Sequence, residues 1–308
     1  VSFLNLSINP LYQCNFRCDF CYLTKSQLSD PLTLPLTKLR QLIKELKDSN
    51  HSVDHVDLYG GEISLLSNEY LEELDEILYE AFDPSINIVT NLYQVHPFFL
   101  KEHVSLSVSF DFEARESSEK VLQNIITTNK EISILMLASS KLLKMDVSKM
   151  ISTFNSIGNV VSVEIKPYST NQANSFEVSF KDFEEFVKKW IESDIVKNFE
   201  FVNEREIENS LSKKRNAFSD DHLYITPNGK FAVLEFDEKE DEYFLELDRL
   251  DDYKKWERLE HARVQRNEIC SKCEYLGNCL TEHYRKVESL DLSCNGFFHL
   301  LDWYKNLK

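Results

Sequence analysis

The chain has 308 residues, 42 % of them hydrophobic, with 21 Phe, 13 Tyr and 3 Trp, which is enough apolar material for a sizeable core and excludes a disordered chain. At about 150 residues per domain the length allows one large domain or two ordinary ones. A formal charge of −17 disfavours nucleic acid and anionic membrane surfaces as partners, and no segment approaches the ~20 apolar residues of a membrane span.

In chain order, residues 3–9 read as a strand, and a helix starting at Pro35 runs to 47 with Leu36, Leu39, Leu42, Ile43 and Leu46 at helical spacing. Residues 53–59 form a second strand, ended by Gly60–Gly61, and a helix covers 69–82. The rhythm repeats with strands at 86–90, 104–110, 132–138 and 160–166. Between them lie a short helix at 97–101 and helices at 118–128 and 146–156. The amphipathic helix 180–192, capped by Ser179, follows the sixth strand. Six βα units predict a parallel sheet covered by helices. They are too few for a complete eight-stranded barrel, so the expected fold is α/β, a partial (β/α)6 TIM-like barrel, with an open doubly wound sheet as the alternative.

Residues 196–220 are polar and read as a linker with a short helix, separating a barrel at 1–195 from a smaller unit at 221–308. Residues 222–236 form two alternating runs around Pro227, Asn228 and Gly229, a hairpin signal. Residues 237–246 are acidic and expected to face solvent, and a helix at 248–263 follows. The N-terminal residues have no basic start, long apolar run or small-residue cleavage site, so a secretory signal is not expected. A cytoplasmic location and reduced cysteines follow.

The seven cysteines fall in two groups: Cys14, Cys18 and Cys21, then Cys270, Cys273, Cys279 and Cys294. An odd number cannot pair completely, and the grouping predicts two metal sites. Three thiolates on one short loop hold three irons of a [4Fe–4S] cube and leave the fourth open to an exogenous ligand. The competing reading is a zinc knuckle or buried structural cysteines. The four C-terminal thiolates suffice to close either zinc or a second cube.

Other polar residues gather at the C-terminal strand ends, where barrels carry function. Tyr59-Gly60-Gly61-Glu62 follows the second strand, with two glycines that permit close backbone approach and a carboxylate that accepts from an ammonium. Thr90 and Asn91 end the third strand. Ser107, Ser109 and Asp111 share one face of the fourth, an inward polar row that needs partners. Glu164 and Lys166 share a face of the sixth, as substrate or cofactor contacts or as a structural ion pair, with Tyr168 beyond.

The Cys14-x3-Cys18-x2-Cys21 loop after a first strand resembles the signature of the radical SAM superfamily. The resemblance implies that the open iron binds S-adenosylmethionine (SAM) and that the reduced cluster cleaves it to a 5′-deoxyadenosyl radical, which takes hydrogen from substrate. Residue by residue, it assigns Tyr22 to the adenine and Gly60, Gly61 and Glu62 to the methionine amino group. Asn91 goes to the ribose or sulfonium region, with helix capping as the competing role, although Leu92 stands where many relatives have glycine. Ser109 goes to SAM, and Asp111 to the substrate side. Ser107 is either part of that row or a satisfied barrel serine, and Arg17 either pairs near the cluster or is a plain surface residue. Outside the resemblance, Glu164 and Lys166 are candidates for the SAM carboxylate or for substrate, or a structural ion pair, and Tyr168 is a candidate hydrogen donor, as is Tyr59.

The hairpin and the four later cysteines resemble the SPASM and twitch extensions of this superfamily. Residues 231–234 lack the cysteine a full SPASM hairpin would carry, so one auxiliary [4Fe–4S] cluster is the expected count, with electron transfer as its leading role and scaffolding as the alternative. With all cysteines committed, net oxidation or cross-linking of a ribosomal peptide is favoured over a thiol-dependent epimerisation. A small-molecule dehydrogenase is the alternative, and a zinc-bearing binding module without catalysis is the third reading. The resemblance also implies an electron donor such as flavodoxin or ferredoxin. Because the first strand begins almost at once, leader recognition would fall to a separate leader-binding protein or to the acidic surface.

Overall fold

The computed structural model describes residues 2–167, 178–218, 221–234, 244–280, 294 and 297–307. Six strands carry the first half: β1 (Ser2–Ile8), β2 (His51–Leu58), β3 (Ser85–Thr90), β4 (Val104–Ser109), β5 (Ile132–Leu137) and β6 (Val160–Lys166). They pair in parallel and in sequence order. The connecting helices are α1 (Leu36–Asp48), α2 (Asn68–Phe82), α3 (Ser118–Thr127) and α4 (Val147–Asn155), and α5 (Phe180–Ile191) follows β6. Between β3 and β4 the crossover contracts to a 3-10 turn, Pro97–Leu100.

The order decides between the two expected architectures. A doubly wound sheet needs a reversal in strand order, which sends helices to both faces. Here β1 to β6 run without reversal, so right-handed crossovers put every helix on one side. That outer face is apolar and closed: Leu6, Ile8, Val56, Leu58, Ile86, Ile88, Leu106, Val108, Ile134, Val163 and Ile165 are buried. The inner face is polar. Ser107 Oγ donates to Asn87 Oδ1 (3.0 Å), Asn87 Nδ2 to Asp57 Oδ1 (2.7 Å), and Asp57 pairs with His55 (3.3 Å). Ser162 and Ser133 hydroxyls meet at 2.8 Å. The six units form an open partial barrel with a hydrophilic lumen.

The segment expected as a linker is part of the packed body. It carries β7 (Glu200–Phe201), which extends the sheet beyond β6, and α6 (Val202–Leu211). Phe201, Ile207 and Ala217 bury their side chains there, which a solvated linker would not do. The hairpin forms as β8 (His222–Ile225) and β9 (Phe231–Leu234), with Gly229 at φ +71° in the turn. β8 pairs in parallel with β1, so the C-terminal unit continues the barrel sheet across its free edge. The end of the acidic stretch is not solvated: β10 (Phe244–Glu246) pairs with β9, Phe244 is buried, and Glu246 accepts from Thr226 and Asn228 across the turn. α7 (Leu250–Arg266) leads to the second cysteine group, and α8 (Phe298–Leu307) packs on α6, where Tyr304 Oη donates to Glu204 and Glu208.

Candidate active site

After β1 the backbone of residues 9–13 lies against the Gly60–Gly61 turn. Tyr59 N donates to Ile8 O (3.1 Å), Gly61 N to Leu11 O (3.0 Å) and Glu62 N to Gln13 O (2.9 Å). A Cβ at Gly60 would sit 2.4 Å from Leu11 O, and one at Gly61 would sit 2.0 Å from Gln13 O. The glycines are there so that the second-strand turn and the cysteine loop can share a backbone ladder.

Glu62 is fully buried and joins three elements. Its Oε1 accepts from Ser64 N (3.0 Å) and Thr90 Oγ1 (2.6 Å), and Oε2 accepts from Asn91 N (2.8 Å). The carboxylate thus pins the end of β3 to the glycine turn. Asn91 Nδ2 donates to Asn15 Oδ1 (2.7 Å) and lies 4.0 Å from Cys14 Sγ. Leu92, in place of glycine, still adopts the left-handed backbone (φ +50°). Its side chain is buried, and Thr90 Oγ1 accepts its N–H at 3.0 Å, which offsets a conformational cost of order 1–3 kcal/mol.

The cysteine loop is anchored by buried Phe16 and Phe20 and by its own backbone, with Cys14 N donating to Leu28 O (3.1 Å) and Cys21 N to Cys18 O (3.1 Å). Arg17 is a staple of this loop: its guanidinium donates to Cys14 O (2.7 Å) and Phe16 O (2.8 Å), and its backbone N–H to Glu116 (3.0 Å). All three thiols are half-buried. Burial pushes Cys14 up to about 12, against the Phe16 N–H and with help from the Glu62 charge. Burial likewise raises Cys21 to about 11 and raises Cys18, against the opposing charge of Arg115. Iron loading therefore has to displace protons from buried thiols.

The donor set fits a sulfur-rich anionic cluster. N–H groups of Phe16 (3.4 Å), Arg115 (3.5 Å) and Asn91 (4.0 Å) face the sulfurs of Cys14 and Cys18. Among the described residues, no three His, Cys, Asp or Glu side chains are grouped as ligands of one metal ion.

Asp111, expected on the substrate side, is fully buried: Oδ2 holds Arg115 Nε (2.7 Å) and Nη2 (2.6 Å), and Oδ1 accepts from Leu137 N (2.5 Å). Sequence reasoning missed Arg115, whose only signal is its place four residues after Asp111, just past β4. Ser109 lies half-buried at the lumen end of β4, while Ser107 is the satisfied barrel serine. Glu164 and Lys166 form a half-exposed ion pair at 2.7 Å. Tyr22 Oη donates to Gly60 O (3.0 Å), and its ring packs with Tyr59 and Phe244. Tyr168 lies outside the described residues.

The four C-terminal thiols are close enough to feel one another's charge. Cys270 and Cys279 are buried, Cys273 and Cys294 half-buried. Cys270 is pushed up to about 12, first by burial and then by the charges of Cys294, Cys279 and Cys273. Arg215 Nε donates to Cys279 O (3.2 Å) and Ala217 N to Gly277 O (3.0 Å), tying this group to the segment after α6.

Residues 8–153 match the sequence profile of the Radical SAM superfamily. In structure it is similar to native anSMEcpe with bound AdoMet: TM-score 0.74, 17 % identity, covering 99 % of this chain and 100 % of the other. It is also similar to anSMEcpe with bound AdoMet and Kp18Cys peptide (0.71, 15 %, 99 % and 98 %). Streptococcus suis SuiB bound to precursor peptide SuiA aligns at 0.63 and 16 %, over 90 % of this chain and 71 % of SuiB. At these identities the likeness is one of fold. No curated protein matches the chain in sequence. Among the described residues no helix is long and apolar enough to cross a membrane.

Proposed function

We propose that this chain is a radical SAM enzyme that cleaves SAM reductively and takes a hydrogen atom from a peptide, leading to oxidative modification or cross-linking. The observation that carries the reading is the three-thiol loop of Cys14, Cys18 and Cys21, laid by the Gly60–Gly61 ladder on the C-terminal rim of an open barrel. When bound, the cluster supplies the electron that splits the sulfonium and an iron position to hold the SAM amino acid. The protein's own part is to hold three sulfurs half-buried, aim N–H donors at them and keep a hydrophilic lumen beneath.

The peptide reading is supported by the peptides bound in two of the similar structures, Kp18Cys peptide with anSMEcpe and SuiA with SuiB. Ser109, Glu164 and Lys166, on the lumen ends of β4 and β6, are the candidate contacts to SAM or peptide, and Tyr168 is kept as a candidate donor. The mutual electrostatic influence of Cys270, Cys273, Cys279 and Cys294 supports one auxiliary cluster, closed by four sulfurs and suited to accepting an electron rather than binding substrate. We assign the protein to the cytoplasm, where seven ligand cysteines stay reduced and a flavodoxin or ferredoxin can deliver electrons.

Anaerobic reconstitution tests the reading. About eight irons per chain, two cubes of four, and 5′-deoxyadenosine formed from SAM under a strong reductant are the expected results. Cys18→Ala abolishes SAM cleavage. Cys273→Ala retains part of it and loses peptide product. Equal product from Cys273→Ala contradicts the electron role of the second cluster, and a colourless protein holding two zinc ions contradicts the enzyme reading.

A further inference from the structure

We propose that Arg115 is a positioning residue that sets the reduction potential of the N-terminal cluster, with its guanidinium directed onto Cys18 by Asp111. The inference rests on the reading above that Cys14, Cys18 and Cys21 hold a cube. The guanidinium has two sides in use. Nε and Nη2 grip Asp111 Oδ2 at 2.7 and 2.6 Å, and Nη1 points to Cys18 Sγ at 3.5 Å. Its face lies over the Phe20 ring at 5.1 Å. Arg115 is 14 % exposed and Asp111 0 %, so water screens this charge poorly. Asp111 is itself fixed, since its other oxygen accepts the Leu137 N–H at the end of β5.

The backbone is bent to make this possible. Phe112 takes a left-handed φ of +50° within the turn Phe112–Ala114. Ala114 N then donates to Asp111 O (3.0 Å) and Arg115 N to Phe112 O (3.1 Å), which folds Arg115 back over Asp111. A strained non-glycine residue that brings a buried cation onto a ligand sulfur points to function rather than to packing alone.

Reduction adds one negative charge to a cluster. An N–H donor and a buried cation at a ligand sulfur stabilise that charge and raise the potential. Asp111 cancels part of the cation's field, but it also fixes the direction of the donor. Lysine cannot do both tasks, because the planar fork serves two acceptors at once. One electron from a low-potential donor enters the cube, and no bond is made or broken.

The test is an EPR-monitored redox titration of the anaerobically reconstituted full chain with a low-potential chemical reductant. The N-terminal cube is recognised as the component whose signal changes when SAM is added. Arg115→Met keeps the stem and removes charge and donors. It is expected to make that cube at least tenfold harder to reduce, a shift of about 59 mV to more negative potential for one electron, with iron and sulfide content unchanged. Arg115→Lys is expected to shift it in the same direction by less, and it carries the test if the Met variant fails to retain the cube. A potential equal to wild type in a cluster-replete variant overturns the inference. So does a loss confined to SAM affinity at unchanged potential, which would assign the guanidinium to the SAM carboxylate. Absence of any SAM-responsive cube in the wild type would instead overturn the functional reading itself.

Discussion

At the scale of single residues, the site is held together by groups whose chemistry is ordinary and whose placement is not. Gly61 is the sharpest case. With Gln13 O 2.0 Å from where a Cβ would sit, Gly61→Ala must push the cysteine loop away. The expected outcome is loss of the N-terminal iron at reconstitution, with the C-terminal iron retained; normal iron content would contradict the ladder. Glu62→Gln replaces an acceptor-only group, facing two N–H donors and a hydroxyl, by an amide that can accept at one end only. A cost of about 1–3 kcal/mol is expected, read by chemical denaturation, because a buried donor is left unpaired. The sequence displayed both residues as a motif but not their tasks. A Gly-Gly-Glu run carries no sign of which backbone it faces, and only the tertiary ladder with 9–13 supplies that. Asp111 was legible as an inward polar position on spacing alone, whereas its partner Arg115 was not, because the left-handed turn at Phe112 breaks the strand periodicity that would have linked them.

At the scale of elements, the six strands were readable because buried apolar residues recur at every second position along most of them. The same alternation builds the lumen network of Ser107, Asn87, Asp57 and His55. His55 is held above its ordinary value by its hydrogen bond to Asp57, against burial. The folded pKa being the higher one, this pair stabilises the fold below the unfolded value of about 6.5, and the contribution is lost as pH rises through the folded value. NMR titration should find His55 above a free histidine in wild type and shifted down in Asp57→Asn; an unchanged value would contradict the pairing. The elements that sequence reading lost were short or mixed. β7 has two residues and β10 three, so neither shows a period, and α8 buries Leu300, Leu301 and Tyr304 within a tract too short to stand out. The acidic run at 237–246 hid Phe244, which is buried on the edge strand β10.

At the scale of the whole molecule, the barrel and the C-terminal unit share one ten-stranded sheet, joined where β8 pairs with β1. Composition alone suggested separable units, since a polar stretch of about the right length lies between them; the burial of Ile207 and Ala217 shows why that stretch cannot act as a tether. A chain ending at 195 would expose the edge of β1, with Ile8 and Leu6 beside it, and unprotected edges of this kind associate. It is expected to aggregate on expression, and a monodisperse monomer by light scattering would contradict the shared-sheet account. The second cysteine group is tied to the same body after α6, where Arg215 and Ala217 donate to the backbone of Cys279 and Gly277.

The most direct measurement is EPR of the reduced, anaerobically reconstituted chain before and after adding SAM, with 5′-deoxyadenosine quantified in the same sample. A cube at Cys14, Cys18 and Cys21 with one iron free of protein ligands predicts a changed spectrum on SAM addition and formation of 5′-deoxyadenosine, both absent in Cys18→Ala. A spectrum indifferent to SAM, with no nucleoside formed by a protein that holds its full iron, would contradict the account.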